Sequence, residues 1–419
     1  MRPLRSNLIL LFLFLISSCG VPANQVSLAA QIASPTPFQP LTGNASNSPY
    51  ADAAPTPFYL PSVTPLPSMP TEMVAGLLPL DASVPTPVVL PILNPLTGLP
   101  PYDPAFLERR PLAIKVANYP RYIRPQSGLT SADHIFEYYI EGGLTRFIAI
   151  FYGNNSEWVG PVRSGRYFDE NIQRMYQAFL VFKFADPRVL DHFKFSDFAD
   201  FIVVPTNGSC PPFRLMTTRQ IEVYNNSYFY TPEWDACIGK NNLNNNRPTT
   251  IQGNYFNETA PVSELQANQI FTYYSEYSYH YWSYVPETQQ YLRYQETEDT
   301  HNDKPEKYEP LVDQMNATPV HASNVVVLLA SHTFANTFDQ EDEVFQIDLT
   351  DSGEAYVFRD GVGFVAQWRR TNQNQPITLT TVNGSAIHLR PGITFYEVIG
   401  ARSYVDQDAG EWHFHHDTP

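Results

Sequence analysis

Positive charge is missing from the first quarter of this chain: no lysine or arginine occurs between Arg5 and Arg109. Over all 419 residues only 16% are charged, against about 25% in ordinary soluble proteins. The 42 acidic residues outnumber the 26 basic ones, leaving a net charge of −16. A chain so acidic lacks the broad basic face that phosphate binding needs, so no nucleic-acid partner is expected. Cysteine is also scarce. Three residues exclude a disulfide-dense scaffold and a four-thiolate zinc site. No apolar run reaches the ~20 residues that would cross a bilayer as a helix. His-Glu-x-x-His, phosphate-loop and dinucleotide motifs are missing. Arg163-Ser164-Gly165 lacks the first glycine of a nucleophile elbow. No motif announces an enzyme or a cofactor.

Proline, by contrast, is plentiful. The chain has 38, and 19 of them fall between Pro22 and Pro104. Arg2 and Arg5 precede an apolar run from Leu8 to Ile16, the plan of a secretory signal. Leu15-Ile16-Ser17-Ser18-Cys19 resembles a bacterial lipobox, which implies cleavage after residue 18 and lipidation of Cys19. An ordinary cleaved signal with an incidental cysteine is the alternative. Residues 19–93 are rich in Pro, Ser, Thr and Ala and predict a disordered tether, because proline withholds amide donors and disfavours helix before it. Fully extended, about seventy such residues could reach ~200 Å.

Beyond the tether, charge is segregated. Residues 109–188 carry 11 basic and 7 acidic groups, a net of +4. Residues 189–419 carry 13 basic and 30 acidic groups, a net of −17. Hydrophobic periodicity predicts an α+β fold. A mixed α/β-type module spans 94–250, an antiparallel β-rich module spans 251–402, and a tail covers 403–419. In the first module, strands are expected over Pro111–Asn118, His134–Ile140, Thr145–Tyr152 and Phe179–Phe184. Helices are expected over Arg166–Ala178, Pro187–Phe195 and Thr217–Tyr224. After residue 250 nearly every segment reads as strand. The run Asn324–Ala330 suits a central position, and Asn383-Gly384 marks a hairpin.

Several segments resemble the YerB-like lipoprotein family. They include Asn94-Pro95-Leu96-Thr97-Gly98, Arg124-Pro125-Gln126-Ser127-Gly128, Glu141-Gly142-Gly143-Leu144-Thr145-Arg146-Phe147 and Gly160-Pro161-Val162-Arg163-Ser164. In the second module, Ala355-Tyr356-Val357-Phe358-Arg359-Asp360-Gly361 and Leu389-Arg390-Pro391-Gly392 continue the match. The resemblance implies a lipoprotein with two modules of unknown function and supplies no activity. Phe213-Arg214-Leu215 departs from the His-Asn-containing pattern of that family.

Three groups of residues are candidates for chemistry. The first is Arg124, Asp133, Glu137, Glu141, Arg146, Arg163 and Arg166, with four arginines against three acids. Arg163 and Arg166 stand where a loop enters the Arg166–Ala178 helix, and guanidinium forks at such a junction suit a carboxylate or phosphate. A ligand-free network of ion pairs is the competing reading. The second group is the tyrosine-rich segment Tyr273–Tyr284, which suits either sugar stacking or, preferably, cross-strand aromatic pairing. The third is His413, His415 and His416 with Asp417, close to a terminus where chains fray, so no metal site is assigned. Cys210 and Cys237, 27 positions apart in an exported chain, are expected to pair.

The sequence therefore predicts a lipid-anchored protein on the outer, extracellular face of the cytoplasmic membrane. It is expected to bind a cell-wall fragment, an anionic lipid or an envelope protein without catalysis and without cofactor. A hydrolase of an anionic envelope polymer, using Glu137 or Glu141, and a structural scaffold are the alternatives. If Cys19 carries the anchor, Cys19→Ala should move the protein out of the membrane fraction and remove the acyl mass seen by mass spectrometry. Unchanged fractionation would refute lipidation.

Overall fold

The computed structural model describes residues 91–249, 251, 254–335 and 344–419. The signal peptide, Cys19 and the tether up to residue 90 lie outside the described residues. In the first module the main elements are strands β1 (Leu112–Ala117), β2 (His134–Tyr139) and β3 (Thr145–Phe151), then helix α1 (Asp169–Tyr176) and strand β4 (Phe179–Val181). Helix α2 (Pro187–Lys194), strand β5 (Ile202–Val203) and helix α3 (Trp234–Asn241) follow. The second module supplies β6 (Gln269–Ser275), β7 (Ser278–Val285), β8 (Gln290–Glu296), β9 (Asn324–Phe334) and β10 (Asp351–Arg359). It ends with β11 (Val362–Arg370), β12 (Thr378–Thr381), β13 (Thr394–Gly400), β14 (Tyr404–Asp408) and β15 (Glu411–His415).

The fold is α+β. One long sheet runs in the order β12-β11-β10-β9-β13-β2-β3-β1-β4-β5 and so draws strands from both modules. The junction is a parallel pairing of β13 with β2, in which Glu137 stands opposite Glu397. On its other side β13 pairs in parallel with β9. Asn324–Ala330 is buried throughout. Val325, Val327 and Leu329 join one core, and Val326, Leu328 and Ala330 join the other. A strand covered on both faces needs an unbroken apolar run, which is what this segment has.

A second sheet, β8-β7-β6-β15-β14, covers one face of the first. Trp282, Tyr274, Tyr291, Trp412 and Phe414 from this sheet share a core with Val325, Phe395 and Phe147. Ile172 and Met175 of α1, with Val189 and Phe193 of α2, share the other core with Phe136 and Tyr396. The result is helices, long sheet and second sheet in three layers.

Several expectations change here. The last residues do not trail as a tail: β15 pairs in parallel with β6, and Trp412 and Phe414 are buried. The terminal histidines consequently diverge. His413 stacks on Phe271 at 4.5 Å, His415 on Tyr404 at 4.4 Å, and His416 on Tyr139 at 4.7 Å. Thr217–Tyr224 is mostly turn, with a short 3-10 segment at Val223–Asn225. The tyrosine-rich segment divides by alternation. Tyr274 and Trp282 enter the core, while Phe271, Tyr281 and Tyr294 form an outer row stacked at 5.0 and 4.7 Å. A ring stacked on both sides offers no face to a sugar, so this row is cross-strand pairing.

Cys210 and Cys237, the latter on α3, are joined by a disulfide with Cα atoms 5.4 Å apart. It closes a 27-residue separation around the irregular chain between β5 and α3. Constraining a loop of that length is worth ~3–4 kcal/mol on the chain-entropy account. Reduction, or Cys237→Ala, should lower the unfolding free energy and with it the urea midpoint, and reductant should have no further effect on Cys237→Ala. An unchanged midpoint would show that the bridge adds nothing.

Candidate functional site

Side-chain alternation separates the seven charged candidates. Glu137 lies on β2 opposite Phe147, whereas Arg146 on β3 lies opposite Tyr138. Neighbours along a strand point to opposite faces. Glu137 therefore enters the core beneath the second sheet, and Arg146 faces the helix layer. Glu141 lies past the end of β2, in a 3-10 turn at Glu141–Gly143 where Gly142 and Gly143 have φ of +69° and +71°. That turn swings Glu141 toward the helix side as well.

Glu137 belongs to a buried network between the two sheets. Its carboxylate accepts from Thr145 Oγ1 at 2.6 Å, from Asn118 Nδ2 at 3.1 Å and from the Arg293 guanidinium. The same guanidinium donates to Glu397 Oε1 at 3.1 Å. Glu397 Oε1 also accepts from Trp282 Nε1 and pairs with His280 Nε2, both at 2.9 Å. All four ionisable side chains are 0–1% exposed. Burial pushes both carboxyls above the ordinary Glu range, and the charge of Arg293 offsets only part of this. Burial, reinforced by Arg293, holds His280 neutral, well below its ordinary value.

The ligating atoms of Glu137, His280 and Glu397 all lie within 4.8 Å of one another, a separation a metal ion could bridge. Arg293 already contributes the positive charge between the two carboxylates. The arrangement is complete as an Arg–diglutamate clasp and sealed from solvent. That removes Glu137 as an acid or base for any external substrate in this conformation.

The helix-side residues form a different group. Arg166 donates from Nε to Glu141 Oε2 at 2.8 Å, and its NH2 group bonds the other carboxylate oxygen, a fork-on-fork pair. Burial pushes the Glu141 carboxyl up, but the hydrogen bond and charge of Arg166 outweigh it and the net shift is downward. Arg146 is 8% exposed, and its Nε has no hydrogen-bond partner among the described residues. Burial, joined by the neighbouring charges of Arg166 and Arg163, lowers its guanidinium to about 9. Arg163 lies over the Tyr224 ring at 4.8 Å, and its Nε is likewise unpartnered. Arg146 and Arg166 thus both neighbour Glu141, and Arg163 adjoins the two guanidiniums.

The helix end itself is not a site. α1 starts at Asp169, later than expected, and Asp169 Oδ2 accepts the Arg166 amide at 2.8 Å. Asp169 Oδ1 accepts from Lys115 Nζ at 2.8 Å, so the helix's own acid occupies its N-terminus. Arg124 sits apart, donating to Glu296 Oε1 at 2.6 Å.

Asp133 is also separate and structural. It accepts from the amides of Tyr152 and Gly153 at 2.6 and 2.8 Å and from Asn94 Nδ2 at 2.9 Å. A Cβ on Gly153 would lie 2.3 Å from that Asn94 nitrogen. The Thr97 carbonyl in turn accepts from the Gly392 amide at 2.8 Å, which ties the first family-like motif to the last.

Of the inner network, sequence reasoning named Glu137 and missed Glu397, Arg293 and His280, yet the strands carry a recognisable signal. Glu137 and Glu397 are each a lone acid in an otherwise apolar buried strand, Phe136-Glu137-Tyr138 and Tyr396-Glu397-Val398. Arg293 and Gln295 occupy the inward positions of β8 beside Tyr291. Such positions demand polar partners across the core. Lys183, Phe184 and Tyr224, which surround Arg163, carry no such signal, because the turn that gathers them is tertiary.

The chain belongs to a family whose N- and C-terminal halves are described as Protein of unknown function (DUF3048) N-terminal domain and C-terminal domain, matching residues 96–244 and 270–396. It is 26% identical over 303 residues to YerB of Bacillus subtilis (strain 168), which bears a lipoprotein name. The alignment covers 70% of this chain and 82% of that protein. The crystal structure of Bacillus subtilis YerB has the same fold, with a TM-score of 0.61 at 23% identity, covering 74% of this chain and 96% of that one.

A carboxyl raised by burial takes up its proton on folding. Its contribution to stability is fully present below the ordinary Glu range and is lost as pH rises through the raised value. Where folding leaves one proton shared between the two carboxyls, Glu397→Gln keeps the acceptor for Trp282 and donates to Glu137 in its place. Its stability relative to the unsubstituted protein should therefore increase steadily as pH rises from about 4.5. Arg293→Ala should cost ~3–5 kcal/mol by leaving two buried carboxylates unpaired. Urea titrations across pH measure both, and a pH-independent difference for Glu397→Gln would refute the shared proton.

Proposed function

We propose that this protein is a lipoprotein of the cell envelope, anchored through Cys19 to the outer face of the cytoplasmic membrane. Its folded part binds an anionic ligand without catalysing a reaction. Relatedness to a protein with a lipoprotein name and the lipobox-like sequence at Cys19 support the anchor. Among the described residues no helix is long and apolar enough to cross a membrane.

The observation that carries the binding reading is the mutual proximity of Arg146, Arg163 and Arg166, of which Arg166 alone forms a fork-on-fork pair with Glu141. Like charges brought together at the edge of a core repel one another, and an unmatched buried donor costs ~1–3 kcal/mol. An external anion offsets both. Glu141 shows that the cluster accepts a planar carboxylate, and the Nε edges of Arg146 and Arg163 have none. The hydrolase alternative has less support. Glu137 is sealed in the core, and Glu141 is held ionised by Arg166.

Citrate, a small tricarboxylate, should raise the melting temperature of the full-length protein. Saturation at ~100 Kd corresponds to about 2.7 kcal/mol. Arg163→Ala should remove the rise, read against the variant's own ligand-free melting temperature. An equal rise in the variant, or none in the unsubstituted protein, would overturn the anion site.

A further inference from the structure

Beside the arginine cluster lies a strip of exposed rings. Phe184 follows β4 with φ of +65°, a left-handed conformation that bulky residues rarely adopt. Its side chain is 55% exposed, so the strain is not offset by burial. Strain of this kind, ~1–3 kcal/mol, tends to persist where it serves a site. The Phe184 ring lies nearly parallel to Tyr224, also 55% exposed, with centroids 6.2 Å apart and planes 11° apart. Lys183 Nζ is 5.4 Å from both centroids, and Arg163 covers Tyr224.

Next to Tyr224, Asn225 is 7% exposed. Its Nδ2 donates to Tyr122 Oη at 2.7 Å and to Glu222 Oε2 at 3.3 Å, and its Oδ1 has no partner among the described residues. Tyr122 and Tyr224 are both electrostatic neighbours of Arg163, so rings, amide and guanidiniums form one continuous surface. The unmatched groups are thus of two kinds. Arg146 and Arg163 offer donors and call for an anion, while Asn225 offers an acceptor and calls for a donor. A phosphate or a simple carboxylate supplies only acceptors. A sugar ring bearing a carboxylate supplies acceptors, hydroxyl donors and an apolar face for Phe184.

We propose that the Arg146–Arg163 cluster and the adjoining Phe184–Tyr224–Asn225 strip form one binding site for an acidic polysaccharide, a chain of sugar rings carrying carboxylates. This deepens the anion-binding reading above and rests on it. The carboxylate sits on the guanidinium forks, and the following ring stacks over Phe184.

The test compares ligands of matched charge on the full-length, detergent-solubilised protein by calorimetry. Trigalacturonate and citrate each carry three carboxylates, but only the former has rings. Trigalacturonate should bind about 10-fold more tightly, the scale of one ring-stacking contact with its hydroxyl bonds. Phe184→Gly should erase that advantage, leave citrate binding unchanged and fold at least as stably, because glycine accepts the positive φ. Arg163→Ala should abolish binding of both.

If both ligands bind equally and Phe184→Gly changes nothing, the polysaccharide assignment is wrong and the anion site stands. If neither ligand binds, both readings fall. If phosphatidylglycerol vesicles bind in a Phe184-dependent manner and trigalacturonate does not, the strip is a membrane-docking surface and the assignment is overturned.

Discussion

Two glutamates face each other across neighbouring parallel strands, and the architecture depends on how that repulsion is resolved. Glu137 on β2 and Glu397 on β13 are in register in the interior of the long sheet. Like charges directly opposite one another destabilise a sheet, and desolvation makes the problem worse. Arg293 reaches across from the second sheet and binds both carboxylates, while Trp282, Thr145, Asn118 and His280 complete their coordination. The residues that solve the problem come from β1–β3, β7, β8 and β13 and their flanks. No one stretch of sequence can bury its share of this charge without the others.

That interdependence explains why the two family segments do not correspond to two separate folded bodies. The described residues form a single compact unit. Without the second module, strand β2 would present an open edge and Glu137 would lie buried without Arg293, the charge that neutralises it. Without the first module, Arg293 would lose one of its two carboxylates, and the inner face of β7 and β8 would lose much of the apolar surface it packs on, including Phe147 and Ile135. The contact between Thr97 and Gly392 repeats the pattern at another point, because it joins the first motif of one segment to the last motif of the other.

Much of the fold was legible in the sequence because strand signals are local. Continuous apolar runs such as Asn324–Ala330 and the alternation around Leu112–Ala117 placed the central strands. The turn residues Asp360-Gly361 and Asn383-Gly384 marked hairpins. What was not legible is tertiary. No local pattern says that β13 inserts beside β2, a strand more than 250 residues away, or that β15 returns to pair with β6. The expected tail became two strands because Trp412 and Phe414 have a core to enter, and the proximity of a chain end says nothing about that. The charged candidates were chosen as one group because they are close in sequence. The two-residue period of β2 and β3 divides them, sending Glu137 to one face and Arg146 to the other.

The two groups that result obey opposite electrostatic rules. In the inner one, the positive charge of Arg293 lies between two carboxyls whose titration burial pushes upward, each Arg293 nitrogen finds an acceptor, and solvent is excluded. Such a group rigidifies the core and gives a ligand nothing to add. In the outer one, Arg146, Arg163 and Arg166 crowd together at the margin of the helix layer with Glu141 paired to Arg166, the Nε atoms of Arg146 and Arg163 have no partner among the described residues, and Phe184, at positive φ, stands exposed beside them. Both are built from the same residue types, so composition alone cannot tell them apart. The balance of charge within each cluster does: in the inner one Arg293 is matched by Glu137 and Glu397, whereas in the outer one guanidiniums outnumber the carboxylate they surround.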